Sequence, residues 1–262
     1  MSLPELLGLS LAVVAVCMAA LWLLSLAIKN ASIVDIFWGA GFVLLAAVYF
    51  VAADGFTGRK LLVLTLVAVW GLRLSGYILW RSWGKGEDYR YARWREQAGG
   101  RFWWTSLLQV FLLQGLLMWF ISMPVLAAQS ADEPDGLTWV DVAGAAVWGV
   151  GFSFEAVGDW QLARFKADPA NRGKVMRSGV WAYTRHPNYF GDATQWWGLY
   201  VIAAGAADGY WTLFSPVLMT VLLLRVSGVA LLERAQVRTK PQYQEYIEST
   251  SAFVPWFPRR RA

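Results

Sequence analysis

At 262 residues, 57% hydrophobic and only 16% charged, with 17 tryptophans, the chain carries too much apolar side chain for a water-soluble domain of its size. Its net charge of +5 does not indicate nucleic acid, because the basic residues of a membrane protein gather in its cytoplasmic loops. A single cysteine, Cys17, excludes an internal disulfide; with His186 the only histidine, no metal is expected.

About 20 apolar residues cross a bilayer, and the stretches 4–28, 33–53, 60–82, 103–128, 138–163, 188–206 and 210–233 reach that length. The expected fold is therefore an all-α, polytopic membrane bundle of seven transmembrane helices. It forms one domain over 1–262. The first stretch has Glu5 where a signal peptide is basic, and its apolar run is too long for one, so it reads as a true span. Between spans, Lys and Arg concentrate at 82–102, at 164–187 and after 233. The links Asp132-Glu133-Pro134-Asp135 and Ala207-Asp208-Gly209 carry neither, and Arg59-Lys60 is the exception to the alternation. This distribution puts the N-terminus outside, and the basic loops and the C-terminus on the cytoplasmic side of the membrane. Residues 87–97 mix charge with aromatics and read as a short amphipathic helix on the cytoplasmic interface.

Several spans hold ionisable groups that lipid would penalise. Asp35 begins the second, where it reads either as a helix-start carboxylate or as a site residue. Arg73, Tyr77 and Arg81 form a stripe at i, i+4, i+8 in the third. Glu155 and Asp159 lie one turn apart in the fifth, followed by Arg164 and Lys166, and either serve a site or are neutralised by Arg73 or Arg225. Arg225 and Glu233 repeat the theme in the last. The combination describes a cavity open to the cytoplasm, basic enough for phosphates and apolar enough above for a lipid-like substrate. Neither Gly39-Ala-Gly41 nor Gly149-Val-Gly151 continues to a dinucleotide fingerprint, and no P-loop, HExxH or GxSxG occurs.

The polar chemistry is densest in Ser178-Gly-Val-Trp-Ala-Tyr-Thr-Arg-His-Pro-Asn-Tyr-Phe-Gly-Asp192. Pro187 suits the first turn of a helix, and Asn188, Asp192 and Gln195 then fall on one face. Any one of these residues alone is equally an anchor at the lipid interface; the group together reads as a site.

This run, with Gly158-Asp-Trp-Gln161, Lys240-Pro-Gln-Tyr-Gln-Glu-Tyr246 and Phe253-Val-Pro-Trp-Phe-Pro258, resembles the bacterial branch of the steroid 5-alpha-reductase family. The match covers most of 140–258 and, before that, hydropathy alone; it implies a cofactor site built mainly from 140–258, facing the cytoplasm of a bacterial inner membrane. Arg-His-Pro-Asn-Tyr is also similar to sequences in sterol C14 and C7 reductases and, with a changed fourth residue, in isoprenylcysteine carboxyl methyltransferases. The resemblance implies a seven-helix enzyme that binds NADPH from the cytoplasm and reduces the C4–C5 double bond of a 3-oxo-Δ4 steroid or similar lipophilic enone. It implies a cofactor role for Asn188, Asp192, Asp159, Lys166, Arg172 and Arg73. Lys174, Tyr183, Arg185, His186, Tyr189, Arg225 and Glu233 complete the candidate cofactor set. The family polarises the substrate carbonyl with a Glu and a Tyr; here the acid of the second span is Asp35 and Trp70 stands at the aligned Tyr position, so Asp35, Tyr77 and Glu155 are the catalytic candidates.

Two other classes compete. One is a methyltransferase using S-adenosylmethionine on a lipophilic acceptor, disfavoured because that cofactor has no phosphate to neutralise. The other is a transporter or receptor, disfavoured by the absence of inverted repeats and of paired Gly/Pro-broken helices. The expected partners are the lipid bilayer and a lipophilic small molecule; the sequence assigns no oligomeric state.

Overall fold

The computed structural model describes residues 1–226, 229, 233, 236–237, 239–240 and 242–259. The described residues form helices and turns and no strand. They cluster into two compact units, one of Met1–Thr138 with Ala203–Thr212, the other of Trp139–Ile202 with Leu213–Ala262.

In the first unit, α1 (Leu3–Ile28), α2 (Ile33–Ala52) and α3 (Thr57–Ser82) are followed by α4 (Tyr89–Ala98) and α5 (Phe102–Ser106). A π-helical stretch, Leu107–Leu112, leads into α6 (Leu113–Ile121) and α7 (Met123–Ser130). Helices α2 and α3 meet backbone to backbone. A Cβ on Gly39 would lie 2.3 Å from the Gly71 carbonyl oxygen, and one on Gly71 would lie 2.5 Å from that of Gly39. Two glycines are therefore the only residues that permit this contact. The core is α7, buried along Met123–Gln129. It turns away from α6 at Ser122, because Pro124 has no N–H to continue the ladder.

Arg59, the exception in the charge pattern, is 0% exposed. Its guanidinium donates to the carbonyls of Pro134 and Gly136, each at 3.1 Å, and of Ala131 at 3.4 Å. Lys60 donates to the Ala53 carbonyl at 2.5 Å. Arg59 closes the acidic link onto the start of α3 and Lys60 ties that start to the end of α2, so their place in the sequence reflects packing.

In the second unit, α8 (Trp139–Ala167) is joined through a long irregular segment to α9 (Pro187–Gly205), whose last residues belong to the first unit. Then come α10 (Phe214–Val221), a π-helical stretch Leu222–Val226, and α11 (Tyr243–Ser249). Gly144, Gly151 and Gly158 recur every seven residues on α8, as do Gly191 and Gly198 on α9. A Cβ on Gly144 would sit 2.7 Å from the Gly198 carbonyl oxygen, one on Gly151 2.6 Å from that of Gly191, and one on Gly158 3.1 Å from Pro187 Cγ. Contacts that descend one helix while climbing the other make the pair antiparallel, and the seven-residue interval keeps the glycines on one seam.

Among the described residues five helices are long and apolar enough to cross a membrane: α1, α2, α3, the run Tyr89–Ser130 and α8. Only 17% of the most apolar stretch of α1 is buried. Apolar helix surface that no protein covers belongs in lipid, so this is a multi-pass membrane protein. Helix α9 has 19 residues but is too polar over its first turns to meet the same measure, and Gly209–Arg225 is apolar but shorter. The expected final span, 210–233, falls partly outside the described residues.

Candidate functional site

The polar face expected on α9 is turned onto α8. Asn188 Nδ2 donates to Asp159 Oδ1 at 3.3 Å, and Gln195 Nε2 donates to Glu155 Oε2 at 2.5 Å and to the Gly191 carbonyl at 3.3 Å. Glu155, Asp159 and Gln195 are 3%, 6% and 1% exposed. The close glycine seam brings these side chains within reach, and each acid accepts from an amide of α9. Asp192 lies on the same face of α9, half-buried. Gln195 Oε1 is buried and has no hydrogen-bond partner.

The motif ahead of α9 is stapled to the segment around α11. Arg185 N donates to the Ser251 carbonyl at 2.9 Å and Trp256 N to the Tyr183 carbonyl at 2.9 Å. Thr184 Oγ1 donates to the Phe253 carbonyl at 2.8 Å, and the Tyr246 hydroxyl donates to the Trp181 carbonyl. The Arg185 side chain, 7% exposed, donates to the Ile247 and Thr250 carbonyls and to Glu233 Oε1 at 2.7 Å. His186 Nε2 donates to the same oxygen at 3.0 Å while its ring stacks on Tyr189 with centroids 5.6 Å apart. One carboxylate oxygen of Glu233 accepts from both His186 and Arg185. Burial, with the nearby Glu233 charge, pushes the Tyr243 phenol up to about 12. Arg185, His186 and Glu233, all three among the cofactor candidates of the sequence, thus form an internal network.

Between α8 and the motif the chain is exposed and basic. Lys166, Arg172 and Lys174 are all exposed. The stretch is held by Gln242 Nε2 and Lys240 Nζ, which donate to the carbonyls of Gly173 and Lys174 at 2.8 and 3.0 Å. Gly179 has φ +63°, and a Cβ there would lie 2.2 Å from the Gln161 amide, which accepts from Val180 N at 3.1 Å. Gly158-Asp-Trp-Gln161 and the motif are thereby locked together, with Trp181 Nε1 donating to the Gly158 carbonyl at 3.0 Å. Tyr183 is exposed beside Phe257, and Arg225 is exposed on the π-helical stretch.

Arg73, Tyr77 and Asp35 belong to the first unit. The Tyr77 ring faces two guanidiniums, Arg73 at 5.9 Å and Arg81 at 5.6 Å from its centroid. Asp35 sits in the first turn of α2 and is an acceptor: Arg90 Nη2 donates to it at 2.7 Å and the Tyr91 hydroxyl at 2.6 Å, with Gln114 Nε2 donating to that hydroxyl at 3.2 Å. Glu87 accepts from Ala31 N at 2.7 Å and from Arg95 at 2.8 and 2.9 Å. Burial raises the Glu87 carboxyl, but Arg95 and the Ala31 N–H outweigh it and hold it low. The amphipathic segment 87–97 therefore docks α4 onto the start of α2 through two carboxylates. Tyr91 and Arg90 were not singled out from the sequence, because a mixed charged and aromatic run reads first as a surface anchor.

No group of three or more His, Cys, Asp or Glu among the described residues is placed to hold a metal ion. The arrangement in the second unit can bind anionic groups at its exposed basic stretch, and can offer carboxylate and amide groups along the α8–α9 seam.

A family model described as a protein of unknown function, DUF1295, matches residues 21–250. The Schizosaccharomyces pombe protein described as uncharacterized protein C594.04c is 24% identical over 264 residues, covering 90% of this chain and 75% of its own length. No solved structure matches.

Proposed function

The chain belongs to the DUF1295 family, and on that footing we propose that it is an NADPH-dependent reductase of the C4–C5 double bond of a 3-oxo-Δ4 steroid or a similar lipophilic enone. The family is consistent with the steroid 5-alpha-reductase superfamily that the motif resembles. The observation that carries the reading is the polarity of the second unit: exposed cations at one end of α8, and buried amides and carboxylates farther along it.

The residues present fit NADPH at both ends. Lys166, Arg172 and Lys174 offer charge-assisted contacts to phosphates, more than a pyrophosphate alone requires, which is why the 2′-phosphate form is preferred here over NADH. Asn188, Asp159 and Asp192 line the route between. Arg185, His186, Glu233, Tyr183 and Tyr189 act through the strapped motif that fixes the start of α9, and Arg73 and Arg225 are held as further cofactor arginines. The cofactor supplies the hydride and the protein supplies position and field. Hydride addition to the β-carbon of an enone leaves negative charge on the ketone oxygen, so a donor there stabilises the transition state. Glu155 is the acid of the α8–α9 seam and the preferred candidate; Tyr77 and Asp35 are the others, Asp35 already accepting two hydrogen bonds.

The same reading includes seven spans with the N-terminus outside and the basic segments in the cytoplasm of a bacterial inner membrane. The alternative, an S-adenosylmethionine-dependent methyltransferase, leaves the cationic stretch without a ligand. Thermal-shift titration of detergent-purified protein with NADPH, NADH and S-adenosylmethionine separates the readings. Stabilisation by NADPH above NADH is expected, weakened by Asn188→Ala and Asp192→Ala; a shift with S-adenosylmethionine alone would transfer the assignment to the methyltransferases.

A further inference from the structure

Gln195 was placed by its spacing on a polar helix face, and the structure gives that position a more specific property. One half of its amide is fully engaged: Nε2 donates to Glu155 Oε2 at 2.5 Å and to the Gly191 carbonyl at 3.3 Å. The other half, Oε1, is buried without a donor in a side chain only 1% exposed. Buried polar atoms are almost always satisfied, and leaving an acceptor without a donor costs about 1–3 kcal/mol. In its ionised form Glu155 prevents the amide from turning to relieve this, because exchanging the two ends would set the amide oxygen against a carboxylate oxygen. Oxygen Oε1 is therefore an acceptor fixed in direction that lacks a donor.

Its position along the helices says which donor. Gln195 lies seven residues beyond Asn188, about 10 Å farther along α9. Lys166, on the exposed basic stretch, lies eleven residues from Glu155 in the opposite direction, about 16 Å along α8. A ligand seated along this seam has its anionic groups at the cationic end and a neutral N–H donor at the Gln195 end. The carboxamide of a pyridine nucleotide is such a donor.

We propose that Gln195 reads the nicotinamide carboxamide, its Oε1 accepting the amide N–H while Glu155 holds the Gln195 side chain in that orientation. The inference rests on the NADPH reading and deepens it, naming the residue that selects the carboxamide over other 3-substituted pyridines. Glu155 has in this respect a positioning role that is separate from its candidacy as a proton donor.

The test is binding without turnover. Quenching of tryptophan fluorescence, or calorimetry, gives the Kd of purified protein for NADPH and for its 3-acetylpyridine analogue, in which a methyl group replaces the amide NH2. Wild-type protein is expected to prefer NADPH by about tenfold, the size of one buried hydrogen bond. Gln195→Met, which keeps the length and removes the acceptor, is expected to bind the two alike. Equal wild-type affinities, the result if a trapped water satisfies Oε1 instead, overturn the inference; so does a Gln195→Met variant that keeps the preference. Should Gln195→Met not fold, the wild-type ratio decides, together with Gln195→Asn, which draws the oxygen back by one methylene and is expected to lose most of the preference. Absence of NADPH binding to the wild type sinks the reductase reading itself, and so remains distinct from a failure of the carboxamide assignment.

Discussion

Tyr91 donates its hydroxyl to Asp35 Oδ1 at 2.6 Å, while the neighbouring Arg90 donates to Oδ2 of the same carboxylate at 2.7 Å. One acid at the start of α2 thus receives two consecutive residues of α4, and the interfacial helix is oriented from both sides of a single side chain. Asp35→Asn keeps the shape but gives up the ion pair. After allowance for the partial exposure of Arg90, the expected cost is about 1–2 kcal/mol, read as a lower Tm. Turnover of NADPH with a 3-oxo-Δ4 steroid such as progesterone, measured under conditions where the variant stays folded, decides its chemical role. A fall of roughly 10²–10³ is the usual cost of removing a donor from a developing oxyanion; turnover near wild type leaves Asp35 as a docking residue only and shifts the chemistry to Glu155 or Tyr77.

The glycine seam makes a sharp mutational contrast. A Cβ at position 191 would lie 2.4 Å from the Gly151 carbonyl oxygen and 2.5 Å from Glu155 N, both backbone atoms that cannot step aside. Gly191→Ala should destabilise the α8–α9 pair by about 1–3 kcal/mol and weaken NADPH binding with it. Gly149→Ala, with nothing within 4 Å of its Cβ, should be neutral or slightly stabilising through helix propensity. Equal effects of the two in thermal melts would show that the close approach is not what holds the pair.

Removing the Glu233 charge should loosen the strap at Arg185. Glu233→Gln keeps the shape but gives up the carboxylate that accepts from Arg185 and His186, and its Tm should fall by an amount corresponding to about 1–2 kcal/mol. A Tm equal to that of the wild type would remove Glu233 as a member of the network.

The proposed sidedness rests on the charge pattern once Arg59 and Lys60 are set aside as internally bonded. Single cysteines at Asp132 and Ser178 in a Cys17→Ser background should react with an impermeant maleimide from opposite faces of the membrane. Labelling of both from outside the cell contradicts the proposed topology.

Helix length and the α9 face were legible in the sequence because both are local. The stretch 4–28 became Leu3–Ile28 and 33–53 became Ile33–Ala52, set by apolar run length alone. Pro187 began α9 as its missing N–H suggests, and Asn188 and Gln195 shared a face as the period requires. What stayed hidden was pairing at a distance. Gly149-Val-Gly151 and Gly39-Ala-Gly41 were tested only as dinucleotide fingerprints, whereas Gly151 and Gly39 mark where another backbone approaches. The carbonyls that take up Arg59 lie 72 to 77 residues beyond it, so in the sequence it read as a misplaced loop charge. Arg185 looked like a phosphate ligand for the same reason: its carboxylate and carbonyl partners lie 48 to 65 residues downstream.

That last separation sets an order of events during synthesis. A ribosome adding about 5–20 residues each second completes α8 and the start of α9 several seconds before it makes the Thr250 and Ser251 carbonyls that receive Arg185. Through that interval the guanidinium has none of these partners, and the motif cannot hold its final shape. A nascent chain arrested just before residue 250 would therefore contain all of α8 and α9 while still lacking the carbonyls on which the motif is assembled.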